Sequence, residues 1–221
     1  MYRETLEKNG YVIITKLLTL EQINDYREEI NNYIKNYPTL KNSGGISIPD
    51  FISTSHFPKT SSIIYNPKLL EILTDILGTS FRFCSHNDIG INRSVGWHKD
   101  KLNGDVAKYE TINIWETHND EKHEIVKVLI YLQDHTNNND SLHIVPGSHL
   151  NPKIETSGSL LLHPKIGDVI IFDQRITHRG MGKFVGKENR ILVSFGFGKN
   201  NIFTDNFEKG TRERQNSQKK F

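Results

Sequence analysis

From residue 81 onward the chain is a succession of short apolar segments, each ended by turn chemistry. Phe81–Cys84, Asp88–Ile91, Val126–Leu132, Leu142–Val145, Ser159–Leu162, Val169–Phe172 and Ile191–Phe197 are rich in β-branched and aromatic residues and read as strands. Between them stand Asn137-Asn138-Asn139-Asp140, Pro146-Gly147, Gly167-Asp168 and the glycines Gly180, Gly182 and Gly186. Strands this short and this regularly interrupted close into an antiparallel barrel or jelly roll, with any helices packed outside it.

The helices come first. Tyr11-Val12-Ile13-Ile14 reads as one short strand, after which Thr19 and Gln22 make a capping-box pair. Leu20, Ile23, Tyr26, Ile30, Tyr33, Ile34 and Tyr37 recur at helical spacing until Pro38 closes the run. Residues 41–65, Ser-rich and holding Gly44-Gly45, read as loops. A second helix is punctuated by Asn66 as cap, Pro67 in the first turn and Gly78 at a C-terminal αL position. Neither a repeat nor a linker divides the chain. The expectation is one domain over 1–221: a helical part to about residue 80, a barrel over about 81–198, and a polar tail over 199–221. Residues 101–125, hydrophilic and set between strands, are a candidate lid.

Composition narrows the chemistry. A formal net charge of +2 gives no electrostatic case for nucleic acid or an anionic membrane. No apolar run approaches the ~18 residues of a membrane span, and Met1–Lys8 has no signal-peptide core. The single cysteine, Cys84, excludes an internal disulfide and reads as a small buried hydrophobe in an intracellular, cytoplasmic protein. Any metal ligands must therefore be histidine and carboxylate, and the chain has 10 histidines. Monomer is the default for its oligomeric state.

Two histidines and a carboxylate on one face of a metal, with the remaining positions open, are the ligand set of non-haem iron(II) oxygenases. The first two ligands come from His-x-Asp, because residues i and i+2 of an extended segment point the same way. A lone His-x-Asp is weak, and here there are three: His86-Asn87-Asp88, His98-Lys99-Asp100 and His118-Asn119-Asp120. His118 lies in a wholly hydrophilic run that reads as a solvated loop. His86 and Asp88 share a strand face, and periodicity leaves them open. His98 and Asp100 follow Gly96-Trp97, where an apolar wall meets a turn, and context puts them ahead. His178 stands just past Val169–Phe172 as a third ligand, and Arg190 opens the next strand. If those two strands are antiparallel neighbours, His178 and Arg190 share one end of the barrel, and the guanidinium could grip a carboxylate bidentately.

These segments in this order resemble the phytanoyl-CoA dioxygenase family of Fe(II)/2-oxoglutarate oxygenases. Asn9-Gly10-Tyr11-Val12-Ile13-Ile14 with Leu18–Ile23 is similar to the family's N-terminal strand and helix. Gly96-Trp97-His98-Lys99-Asp100 resembles its His-x-Asp segment, which decides among the three triplets. Val145-Pro146-Gly147-Ser148-His149 resembles its Pro-Gly-Ser-His turn, and Gly167–Phe172 with His178 and then Arg190 resembles its distal histidine and 2-oxoglutarate arginine. The resemblance spans Leu6 to Phe197. It implies a double-stranded β-helix, jelly-roll and cupin-like, mainly β with flanking helices. It also implies iron held by His98, Asp100 and His178, 2-oxoglutarate held by Arg190, O2 as oxidant, and hydroxylation of a small-molecule substrate with release of succinate and CO2.

Lys127, Asn92 and Tyr131 are further cofactor-pocket candidates. Lys127 interrupts an apolar strand, where a charge needs solvent or a partner. Trp97 and Trp115 either line the substrate cavity or serve as plain core, and His149 reads as structural. Related halogenases carry Gly or Ala in place of the carboxylate, so Asp100 favours hydroxylation. The competing reading is a cupin-like barrel that binds metal without 2-oxoglutarate, as an isomerase or binding protein, which would not need Arg190.

Overall fold

A computed structural model describes residues 1–36, 45–102, 104–136, 140–180 and 189–218. The expectations at Tyr37, Pro38, Gly44, Asn137–Asn139, Gly182 and Gly186, and the last three residues of the chain, lie outside the described residues.

The helical part begins with α1 (Tyr2–Asn9), whose only buried side chain is Leu6, and β1 (Tyr11–Ile14). In α2 (Leu20–Asn36) the capping box forms as read: the Thr19 N–H donates to Gln22 Oε1 at 3.0 Å, and the Gln22 N–H to Thr19 Oγ1 at 3.2 Å. The stretch expected as loops contains β2 (Ile46–Pro49) and one turn of helix, α3 (Pro58–Ser61). Ile46 and Ile48 alternate inward there, a period too short to stand out among the serines. Asn66 caps α4 (Pro67–Leu77) by accepting from the Leu69 N–H at 3.1 Å. Gly78 closes it with φ 83°, but its ψ of −170° lies outside the αL region expected.

The barrel strands are β3 (Phe81–Ile91), β4 (Val95–His98), β5 (Ile125–Tyr131), β6 (Leu142–Ile144), β7 (Leu160–Leu161), β8 (Val169–Asp173), β9 (His178–Gly180) and β10 (Ile191–Lys199). With β1 and β2 they form two antiparallel sheets, ordered β1-β8-β5-β10-β3-β2 and β4-β9-β6-β7. The chain passes back and forth between these sheets, which makes the double-stranded β-helix. Alternation along β5 shows how the layers are kept apart. Val126, Val128 and Ile130 face the helices and join Ile23, Ile30, Leu69 and Leu73 in the larger core, while Leu129 and Tyr131 face into the barrel with Leu142, Ile144, Ile170 and Phe172.

Three differences from the sequence reading matter for the site. Phe81–Cys84 and Asp88–Ile91 are one strand carried across a bulge: Asn87 pairs with Phe195 and Phe83 with Phe197, and the carbonyls of Ser85 and Asn87 accept from Gln215 Nε2 at 2.8 and 3.3 Å. The expected polar tail is α6 (Ile202–Gln218), packed on β3 through the fully buried Phe203 and Phe207. Between those lie α5 (Gly104–Ala107) and Ile114, which close a third apolar cluster with Cys84 and Ile125. The lid candidate 101–125 is thereby packed onto α6, and Tyr109 Oη donates to Glu213 Oε2 at 2.6 Å. Among the described residues no helix is long and apolar enough to cross a membrane.

Candidate metal centre

β4 and β9 pair antiparallel with His98 opposite His178, so the last residue of one strand meets the first of the other. Two residues on from His98, Asp100 opens a short 3-10 turn and points back to the same place. The three side chains offer ligand atoms that all lie within 4.8 Å of one another. Asp100 Oδ1 is 3.3 Å from His98 Nε2 and 3.9 Å from His178 Nε2, and the two imidazole centres are 4.2 Å apart.

The imidazoles are fixed from behind. His98 Nδ1 lies 2.8 Å from the Gly96 carbonyl oxygen and His178 Nδ1 lies 3.0 Å from that of Ile176. A carbonyl only accepts, so each Nδ1 carries the proton and each Nε2 turns its lone pair toward Asp100. Burial pushes the His178 imidazole down to about 3, so it stays neutral. Burial alone would raise the Asp100 carboxyl, but Lys127, His178 and His98 hold it well below the carboxylate range. His98 is also pulled down by burial, and Asp100 more than offsets this and lifts it above its ordinary value. A buried anion facing two imidazole lone pairs is the donor set that a divalent iron ion takes.

Residues that the sequence reading did not single out support this arrangement. Lys99 points away from its two neighbours, is fully buried, and donates to the carbonyls of Ser148 at 2.6 Å and Arg175 at 2.7 Å. It thereby ties the His-x-Asp turn to the Pro-Gly-Ser-His turn. Ser148 Oγ donates to the Val145 carbonyl at 2.7 Å and accepts from the Thr177 N–H at 2.8 Å, which sets the strand that delivers His178. The only local signal was a lysine between two candidate ligands. His149 is structural as read, with Nε2 against the Glu7 carbonyl at 3.0 Å.

The other candidates are placed as follows. Lys127 faces inward and donates to Asp100 Oδ2 at 3.0 Å. Arg190 is buried, and its guanidinium donates to the carbonyls of Asp140 and Arg93. β8 and β10 are not antiparallel neighbours, as the reading of Arg190 supposed: both pair with β5, one on each side, and so run parallel. Tyr131 is buried inside the barrel, and its phenol is raised by burial against the opposing pull of Arg190 nearby. Asn92 is exposed at a turn with φ 54°, where its Oδ1 accepts from the Arg190 N–H at 2.8 Å.

His86 and Asp88 also face the barrel interior but are kept out of the triad. Asp88 is engaged by Arg214 of α6 at 2.9 and 3.2 Å, and the His86 ring meets that of Phe207 edge-on. His118 sits exposed in a tight turn with Glu121. Trp97 alternates outward from His98 and stacks beneath the Arg179 guanidinium at 4.7 Å, so it does not line the interior. Trp115 lines a separate cavity of about 410 Å3 with His123, His149 and Asp173, on the α1 and α4 side of the barrel.

A family model described as phytanoyl-CoA dioxygenase matches residues 6–182. No curated protein matches the sequence. Among solved structures, HygX from Streptomyces hygroscopicus with nickel and 2-oxoglutarate bound superposes with a TM-score of 0.70 at 17% identity, covering 90% of this chain and 88% of that one. The 2-oxoglutarate-dependent carbocyclase SnoK of nogalamycin biosynthesis gives a TM-score of 0.69 at 15% identity over 90% and 83% of the two chains. The epimerase SnoN of the same biosynthesis gives 0.68 at 14% identity over 92% and 85%.

Proposed function

The chain belongs to the phytanoyl-CoA dioxygenase family of Fe(II)- and 2-oxoglutarate-dependent oxygenases, and from that premise we propose that it hydroxylates an unactivated C–H bond of a small molecule. One atom of O2 enters the substrate as hydroxyl, and the other enters succinate as 2-oxoglutarate loses CO2. The observation that carries the reading is the convergence of His98 Nε2, His178 Nε2 and Asp100 Oδ1, with both Nδ1 atoms committed to backbone carbonyls.

In this reading His98, Asp100 and His178 hold iron from one side, and the bound metal with 2-oxoglutarate and O2 supplies the oxidising power. Arg190 holds the distal carboxylate of 2-oxoglutarate at the far end of β10, with Tyr131 beside it. The backbone carbonyls of Asp140 and Arg93 fix the plane of the guanidinium, so little rotamer entropy is lost when the cosubstrate arrives. Hydroxylation is favoured because Asp100 supplies a carboxylate where halogenating relatives leave a place for halide. A small-molecule substrate is supported by HygX, which has been solved with hygromycin B bound.

Anaerobic titration with Fe(II) and 2-oxoglutarate tests this through the weak visible charge-transfer band of the chelate. The band should form in the wild type and be lost in Asp100→Ala. In Arg190→Ala the 2-oxoglutarate Kd should rise by roughly 10–100-fold, the loss of a charge-assisted contact of about 1.5–3 kcal/mol. Metal binding with no band in the wild type would sink the proposal in favour of a metal-only barrel.

A further inference from the structure

Lys127 is an ammonium in a strand whose neighbours are all apolar. Val126 and Val128 face the helices, so the alternation of β5 turns Lys127 into the barrel with Leu129 and Tyr131. Its β-sheet partners leave it one way to go. Gly196 on β10 has no side chain, and Phe172 on β8 lies with its ring 4.7 Å from that of His178. The lysine side chain is 14% exposed and Asp100 9%, so the pair is well shielded from water.

The contact is selective between the two carboxylate oxygens. Lys127 Nζ takes Oδ2 at 3.0 Å, whereas Oδ1 is the oxygen that faces His98 Nε2 and His178 Nε2. A carboxylate can bind a metal through one oxygen or two. Bound through two, Asp100 would take one of the three positions that oxygenase chemistry needs open. Oδ2 can turn toward a metal only by giving up its charge-assisted bond to a buried ammonium, which would then be left without that partner.

We infer that Lys127 is a positioning residue that keeps Asp100 a single-oxygen ligand and so preserves three open positions on the metal. The inference rests on the metal-centre reading and replaces the expectation that Lys127 binds 2-oxoglutarate.

Water-proton relaxation enhancement by bound Mn(II), measured without 2-oxoglutarate, reads the number of metal-bound waters directly. In wild type the three open positions carry water. In Lys127→Met and Lys127→Gln, with one equivalent of Mn(II) still bound, the second oxygen should displace one water and relaxivity should fall by about one third. Lys127→Arg, which keeps a cationic donor, should restore most of the loss. Wild-type relaxivity in both Met and Gln variants overturns the inference, and is also what a lysine serving only 2-oxoglutarate would give. If the wild type itself takes up no Mn(II), the metal-centre reading falls first and this one with it.

Discussion

The C-terminal helix offers the sharpest test of how this fold is held, because a segment of polar composition is packed as core. Phe207 of α6 is fully buried. Its ring stands edge-on to His86 with centroids 5.3 Å apart, and Lys101 Nζ lies 4.6 Å above it. In the same cluster are Cys84, Val106, Ile125 and Phe203, drawn from β3, α5, β5 and α6, and Ile114 from the segment between α5 and β5. Replacing Phe207 with alanine removes about 1.5–3 kcal/mol of apolar transfer energy and leaves a cavity that these fixed strands cannot collapse. The expected loss is ~3–5 kcal/mol, within reach of a domain stability of about 5–15 kcal/mol. Urea unfolding followed by circular dichroism should show a lower midpoint at unchanged m-value, and Tm should drop by on the order of 10 °C. Asn216→Ala, on the exposed face of the same helix, should stay within about 0.5 kcal/mol of wild type. A loss below about 1 kcal/mol for Phe207→Ala would refute the packed helix and return the segment to a loosely attached tail.

Two further perturbations probe single contacts. Asn66→Ala removes the side-chain cap on the Leu69 N–H and should cost about 1 kcal/mol by the same unfolding assay, whereas Asn66→Asp should cost less. Arg214→Met removes the partner of Asp88, whose carboxyl burial would raise but which Arg214 and His86 hold below its ordinary value. A depressed carboxyl contributes stability above its unfolded pKa of ~3.9 and loses it as pH falls toward the folded value. The variant should therefore be less stable by about 1.5–3 kcal/mol at pH 7, and the gap should narrow below about pH 4. A gap that stays constant to pH 2.5 would mean that the pair contributes nothing through charge.

Sequence pattern recovered the elements whose period is carried by apolar side chains over a full turn or several strand residues. In α2 and α4, β5, β8 and β10, burial and spacing agree. It missed elements whose buried positions are polar. β3 carries the buried Ser85, His86 and Asn87 at and beside a bulge, and the carbonyls of Ser85 and Asn87 accept from Gln215 of α6, more than a hundred residues later. α6 in turn buries Thr204, Asn206, Gly210, Thr211 and Gln215 beside its two phenylalanines, so its inner face has no apolar stripe. The middle of β3 and the whole of α6 each look like loop without the other. The strands that deliver the histidines, β4 and β9, have four and three residues, too few for any period to register.

The same distinction runs through the site. His98 and Asp100 are legible because two residues of one extended segment must share a side, a constraint that needs no knowledge of the rest of the fold. The placing of Arg190 against His178 rested instead on assuming that two apolar strands were neighbours. The jelly-roll topology inserts β5 between them, and the arginine enters the barrel next to Tyr131. That inserted strand also brings Lys127 opposite Phe172 and against Asp100. The residue least interpretable from sequence thus depends on the same strand pairing that overturns the assumed adjacency of β8 and β10. A charge inside an apolar strand signals a missing partner, and only the register of the sheet can say which partner it is.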